Sequence, residues 1–187
     1  MNQKKKHILN CAMVILKESG DQGLSMRKVA EKAEMRLSNL QYYFKTKELL
    51  LAALLEGFLL DYAKSMQSHS FLEHENPEEG LKQLVLYILT EIETGECAVV
   101  FKELWAIAER NVAVKQAVDT YYQNLHIMLY TVLENVASDN CPAQQLNSAV
   151  AILLPFIEGY CITRSNLRVS TEELSNHLAI LLYTLLD

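Results

Sequence analysis

Proline and glycine are scarce in this 187-residue chain, three and six respectively, which leaves little material for long loops or tight strand connections. Alternating polar and apolar runs are few, whereas apolar residues recur at i, i+3 and i+4 nearly throughout. That pattern predicts an all-α fold of about nine helices. The four cysteines (Cys11, Cys97, Cys141 and Cys161) contain no C-x-x-C pair, which argues against a zinc site or a disulfide framework and for buried thiols in a reducing cytoplasm. No Gly-rich phosphate loop, nucleophile motif or metal-spaced His/Cys/Glu set occurs. The expectation is a protein that is not an enzyme, with no catalytic residue, no metal and no cofactor. The start is basic at Lys4-Lys5-Lys6, but Asn10, Lys17 and Glu18 interrupt the following segment, so no signal peptide is expected. The apolar run from Leu49 to Leu60 is broken by Glu56 and bounded by Asp61, and Leu178 to Leu186 is too short to span a bilayer. A cytoplasmic location with no membrane partner follows as an expectation.

Positive charge is also short overall, with 17 Lys+Arg against 23 Asp+Glu and a net charge of −6. Its distribution is uneven. Residues 1–47 hold ten basic and four acidic side chains, a net of +6, and the other 140 residues hold seven and nineteen, a net of −12. A basic first quarter on an acidic remainder is the asymmetry expected of a DNA-reading head on a body that does not touch DNA. Lys4 to Lys6 alone would read as a solvated tail; beside the helical pair described next they read as a flexible arm along a duplex.

Helices are predicted over about Gln3–Glu18, stopped by Gly20; from Ser25 as N-cap, burying Val29, Ala30 and Ala33; over about Arg36–Tyr43; and from Lys47, capped by Thr46, to about Gln67. Ser68 to Asn76 reads as a connection. Asn76-Pro77-Glu78-Glu79 starts a fifth helix that Gly95 breaks. A sixth covers about Glu96–Glu109, a seventh Val112–Ala137, and an eighth, with Pro155 inside it, opens at Pro142 and reaches Asn166. Ser170-Thr171-Glu172-Glu173 is a capping box for the last. In that last helix Leu174, Leu178, Leu181 and Leu185 read as one seam. It and the eighth are apolar nearly all round, so each needs more than one partner surface, and a homodimer through the last two helices is the expected use.

The most informative stretch, residues 25–49, encodes two short helices joined by a turn at Glu34-Met35. Two such helices at a steep angle can push the second into a DNA major groove. The run Ala33-Glu34-Met35-Arg36-Leu37-Ser38-Asn39-Leu40-Gln41-Tyr42-Tyr43-Phe44-Lys45-Thr46-Lys47-Glu48-Leu49-Leu50 keeps, without a gap, the spacing of the TetR/AcrR pattern A-G-V-S-x-x-x-L-Y-x-[HY]-F-x-[SN]-K-[ED]-x-L. The chain resembles a TetR/AcrR-family transcriptional regulator, most strongly over residues 3–60, with an all-helical body similar in architecture alone. Three departures from the pattern matter: Glu34 stands for the turn Gly, Arg36 for the Ser cap, and Gln41 for the Tyr after the Leu.

Leu40, Phe44, Val29 and Ala33 read as the small core that fixes the helical pair. Arg36 has the chemistry to bind guanine or a phosphate, and Asn39 and Gln41 carry the donor and acceptor that adenine requires. Ser38 shares their helix and is a further DNA-binding candidate. By resemblance Tyr42 and Tyr43 contact phosphate and thymine methyl, with one of the two free to pack inward instead. Lys47 resembles the family lysine that grips the DNA backbone, and Ser25 and Arg27 at the start of the second helix are further backbone candidates. The expected organisation is a helix-turn-helix head over 1–47, the fourth helix (about 47–67) as connector, and an effector-binding, dimerising body over 48–187. In the resembled family a small molecule binds the body and changes the spacing of two heads. Tyr87, Phe101, Trp105, Tyr121, Tyr122, Phe156 and Glu158 are the pocket candidates, each also readable as plain core. The function expected is a dimeric, sequence-specific repressor released from operator DNA by an effector. The alternative is a DNA-binding adaptor of the same fold whose body binds a protein and senses no ligand.

Overall fold

A computed structural model describes residues 3–67, 76–94 and 97–187. The connection expected over 68–76, apart from Asn76 itself, and the Gly95 break lie outside the described residues. Among those described there are nine α-helices and no strand: α1 (Gln3–Gly23), α2 (Met26–Lys32), α3 (Leu37–Tyr43), α4 (Lys47–Gln67), α5 (Pro77–Thr94), α6 (Cys97–Ala108), α7 (Val112–Glu134), α8 (Ala143–Thr163) and α9 (Thr171–Leu186), with a 3-10 turn at Arg164–Asn166.

The helix starts follow local polar chemistry, because the first N–H groups of a helix lack intrahelical acceptors. Ser25 Oγ accepts from Lys28 N–H at 3.3 Å, Thr46 Oγ1 from Leu49 N–H at 3.3 Å, and Asn76 Oδ1 from Glu78 N–H at 3.0 Å. Asn111 Oδ1 accepts from both Ala113 and Val114 at 3.1 Å, and Ser170 Oγ from Glu173 at 3.1 Å. At the end of α1 the chain goes further than expected. Gly20 adopts φ 61°, ψ −167° and bends the helix, and a last turn continues to Gly23. Only a residue without Cβ takes that backbone at low cost.

The described chain divides into two compact units, one of residues up to 62 with 99–122, the other of 63–98 with 123–187. The first unit holds α1, α2, α3, most of α4, α6 and the first half of α7. Ile8, Leu16, Val29, Leu40, Leu50 and Leu104 are fully buried in its core, each such side chain stabilising by about 1.5–3 kcal/mol relative to exposure. Two helices of the acidic region therefore share a core with the basic helices.

In the second unit α9 lies along α5, and α8 packs on both. The apolar face of α5 is Leu81, Leu84, Val85, Ile88 and Leu89. The face α9 buries is Ser175, Leu178, Ala179, Leu182 and Leu186. This corrects the expected seam: Leu178 belongs to the core, but Leu181 is 67 % exposed, and Leu174 and Leu185 are half-buried. A helix apolar nearly all round does not fix its own rotation; the small Ser175, whose hydroxyl donates to the Glu172 carbonyl at 2.8 Å, marks the inward face. The second unit is tied by Glu93, whose carboxylate accepts from the Tyr160 hydroxyl at 2.6 Å and from the Thr171 hydroxyl, joining α5, α8 and the start of α9. Residues 143–166 are long and apolar enough, by length and composition, to cross a membrane. Within this unit one face of the helix buries Leu146, Ala149, Val150, Leu153 and Ile157, while Ile152 and Ile162 stay exposed.

Candidate nucleic-acid interface

The turn between α2 and α3 is closed by the Ala33 N–H bonding back to Val29 O and by Met35 N–H donating to Ala30 O at 2.9 Å. To make this turn Glu34 takes φ 52°, the left-handed backbone that favours glycine. Val29 and Leu40 are fully buried, and Ala33 and Phe44 nearly so, which locks α3 at a fixed angle on the first unit's core. Arg36 is the N-cap of α3 and its side chain makes no capping bond.

That inward packing turns the rest of α3 outward. Arg36, Ser38, Asn39, Gln41 and Tyr42 are all exposed, Tyr42 at 83 %. Tyr43 packs against the core instead and meets Tyr42 edge-on, ring centroids 5.3 Å apart, so the tyrosine that leans inward is Tyr43. Ser25 and Arg27 are exposed at the start of α2. Lys4, Lys5 and Lys6 form the first turn of α1 and are not an arm loose from the fold. Lys4 and His7 line the same open depression as Glu34, Arg36, Ser38, Asn39 and Tyr42. His7 went unnoticed in the sequence; its position three residues after Lys4, one helical turn, is the signal that would have found it.

Lys47 is half-buried and has an internal partner. Its Nζ donates to the Asp21 carbonyl at 2.9 Å and lies 2.5 Å from Asp21 Oδ1. The second contact is an ion pair that lacks hydrogen-bond geometry. Next to it, hydrogen bonds from its own backbone N–H and the Thr46 hydroxyl hold the Glu48 carboxyl below its ordinary range, with a smaller share from Asn111.

The seven pocket candidates fall in different units. Phe101, Trp105, Tyr121 and Tyr122 come together in the first. Phe101 and Tyr121 have centroids 5.0 Å apart, Tyr121 and Tyr122 5.3 Å, and Trp105 Nε1 donates to the Tyr122 hydroxyl at 2.5 Å. All four are partly buried against the core. Tyr87, Phe156 and Glu158 belong to the second unit and are half-buried, with Phe156 stacked on Tyr160 at 6.3 Å. The outer surface of α8 and α9 leaves Ile152, Ile162, Ile180 and Leu181 exposed at 42–67 %. Cys11 and Cys161 are buried and Cys141 is half-exposed; burial pushes the Cys11 thiol above its ordinary value. Among the described residues no group of three or more His, Cys, Asp or Glu is placed to hold a metal ion.

No family model matches the chain. It is 34 % identical over 179 residues, 95 % of its own length and 87 % of the relative's, to an uncharacterized HTH-type transcriptional regulator of the dhlA 5′ region in Xanthobacter autotrophicus. Among solved structures it is similar to a TetR transcription regulator from Haloarcula marismortui, with a TM-score of 0.75 at 23 % identity, covering 100 % of this chain and 99 % of that one. The transcriptional regulator FadR from Bacillus subtilis, in complex with stearoyl-CoA, superposes with a TM-score of 0.73 at 18 % identity, covering 97 % and 99 %. The multidrug binding protein EbrR, complexed with ethidium, does so at 0.71 and 21 %, covering 97 % and 99 %. At these identities the structural likeness carries the fold alone.

Proposed function

The chain belongs to the TetR family of helix-turn-helix, DNA-binding transcriptional regulators, and on that footing we propose that it is a dimeric repressor released from its operator by a small molecule. The observation that carries the DNA-reading part is the outward face of α3. Buried Leu40 and Phe44 hold the helix while Arg36, Ser38, Asn39, Gln41 and Tyr42 stand exposed on the basic quarter of the chain. In this reading Arg36 takes guanine or a phosphate, and Asn39 and Gln41 read adenine edges. Tyr42, Ser25, Arg27 and Lys47 hold the backbone, and Tyr43 supports Tyr42. Residues 1–47 act as the reading head and 48–187 as the body. Such a protein works in the cytoplasm and performs no catalysis.

Two heads are needed because operator half-sites lie about 34–36 Å apart on successive turns of a duplex. The exposed apolar residues of α8 and α9 support a homodimer through those two helices. Tyr87, Phe101, Trp105, Tyr121, Tyr122, Phe156 and Glu158 are the candidates for effector contact. Similar folds bind stearoyl-CoA in one case and ethidium in another, so the effector of this chain is left to experiment. A ligand acts here through its different affinity for two head spacings.

The test is selection of bound fragments from a random duplex pool, followed by gel shifts. Tyr42→Ala and Lys47→Ala are each expected to weaken binding by roughly 10-fold, about 1–2 kcal/mol, with helicity unchanged; unaltered affinity in both would remove the assigned face. A thermal-shift screen with DNA-release assays separates the repressor from a ligand-blind adaptor.

A further inference from the structure

Lys47 is not held out into solvent for a phosphate to find. Its ammonium lies between two acceptors on one residue, the Asp21 carbonyl at 2.9 Å and the carboxylate Oδ1 at 2.5 Å. Asp21 is held in turn. It follows the bend at Gly20, and its backbone N–H donates to Glu103 Oε2 on α6 at 3.0 Å. A Cβ added at Gly20 would meet that same oxygen at 3.0 Å, so the bend, the α6 carboxylate and the lysine form one closely fitted cluster inside the first unit. The side chains of Lys47 and Asp21 are 26 % and 34 % exposed, which leaves the pair less screened by salt than a fully solvated one. To a lysine, a carboxylate and a phosphate oxygen are the same kind of partner, an anionic acceptor.

We propose that Asp21 is an internal competitor for the lysine that grips the DNA backbone, and that Glu103 is a positioning residue that keeps the competitor in place. The proposal rests on the reading of Lys47 as a phosphate contact. To engage DNA, Lys47 gives up Asp21 for a phosphate, and the ion pair subtracts from affinity. Because Glu103 holds the Asp21 backbone, a shift of α6 alters how firmly Lys47 is retained. The first unit thereby has a route from α6 to the DNA backbone contact that leaves the reading face of α3 unchanged.

The experiment measures affinity for the selected duplex across a range of salt, using the full chain and the variants Asp21→Asn, Asp21→Ser, Glu103→Ala, Lys47→Ala and the Asp21→Asn/Lys47→Ala double. Each neutralised phosphate changes the slope of log affinity against log salt by about 0.9. Asp21→Asn is expected to bind roughly fivefold more tightly, the scale of a partly exposed ion pair, with the slope little changed because Lys47 neutralises the same phosphate in both complexes, whereas Lys47→Ala flattens the slope by about 0.9. Asp21→Ser gives the same tightening should the Asn variant fold poorly, and Glu103→Ala moves affinity in the same direction. In the Lys47→Ala background the Asp21 change is expected to have no effect. Gain of affinity there would mean that Asp21 merely repels DNA, and the proposal falls. Unchanged or weaker binding by both Asp21 variants, with Lys47→Ala still harmful, overturns the competition and leaves the reading head standing. If Lys47→Ala changes neither affinity nor slope, the phosphate role of Lys47 and this proposal fall together.

Discussion

Single residues carry strain and charge that the rest of the fold must offset. Glu34 sits at φ 52°, where a side chain costs about 1–2 kcal/mol; glycine removes that strain but adds about 0.4–1 kcal/mol of unfolded-chain entropy to be lost. Glu34→Gly is therefore expected to raise the urea midpoint, by a net gain of about 0.5–1 kcal/mol. Gly20→Ala is expected to lower it, since φ 61°, ψ −167° is nearly closed to other residues. Glu93 gives a pH-dependent case. Hydrogen bonds from Thr171 and then Tyr160 hold its carboxyl below its ordinary value near 4.5. A carboxylate lowered on folding contributes stability above its unfolded value, and that contribution is lost as pH falls through the folded value. Glu93→Gln should thus melt earlier than the parent at neutral pH, and thermal melts taken stepwise into acid should show the two curves converging.

At the scale of elements, helix ends were legible wherever a short polar side chain precedes an apolar run. Ser25, Thr46, Asn76 and Ser170 cap the helices expected of them. The start of α3 is the exception: Arg36 occupies the cap position without capping, and its side chain is left for an external partner. Arg36→Ser is expected to stabilise the fold by about 0.5–1 kcal/mol through a new cap while weakening DNA binding, which paired denaturation and gel-shift measurements would register in opposite directions. Rotation was harder to read than position. The pattern of α9 offers several apolar stripes, and the face it buries follows from the α5 residues it meets, which sequence spacing does not reveal. The partner of Lys47 was hidden for a related reason. Asp21 lies 26 residues away and reaches Lys47 through the bend at Gly20, a tertiary contact with no local signature.

For the whole molecule, the charge asymmetry could be read directly, but the grouping of helices could not. α6 and the first half of α7 share a compact unit with α1, α2 and α3, although their sequence belongs to the acidic stretch. The aromatic candidates have only residue type in common in the sequence, and the fold sorts them into separate units. The exposed Ile152, Ile162, Ile180 and Leu181 lead to a prediction that belongs to the assembly. Leu181→Arg is expected to shift sedimentation from a species near twice 21.3 kDa to one of 21.3 kDa. Operator affinity should fall by about 10²-fold or more, as linked half-site contacts become independent. Trp105 is the sole tryptophan of the chain, and its indole N–H is bonded to Tyr122 within a ring of aromatic neighbours. The protein thus contains a single built-in fluorophore, free of overlapping emission from any sister indole. A change in its brightness or colour during titration with unlabelled compounds would report on that one cluster, so a search for compounds that bind there can begin without attaching a dye.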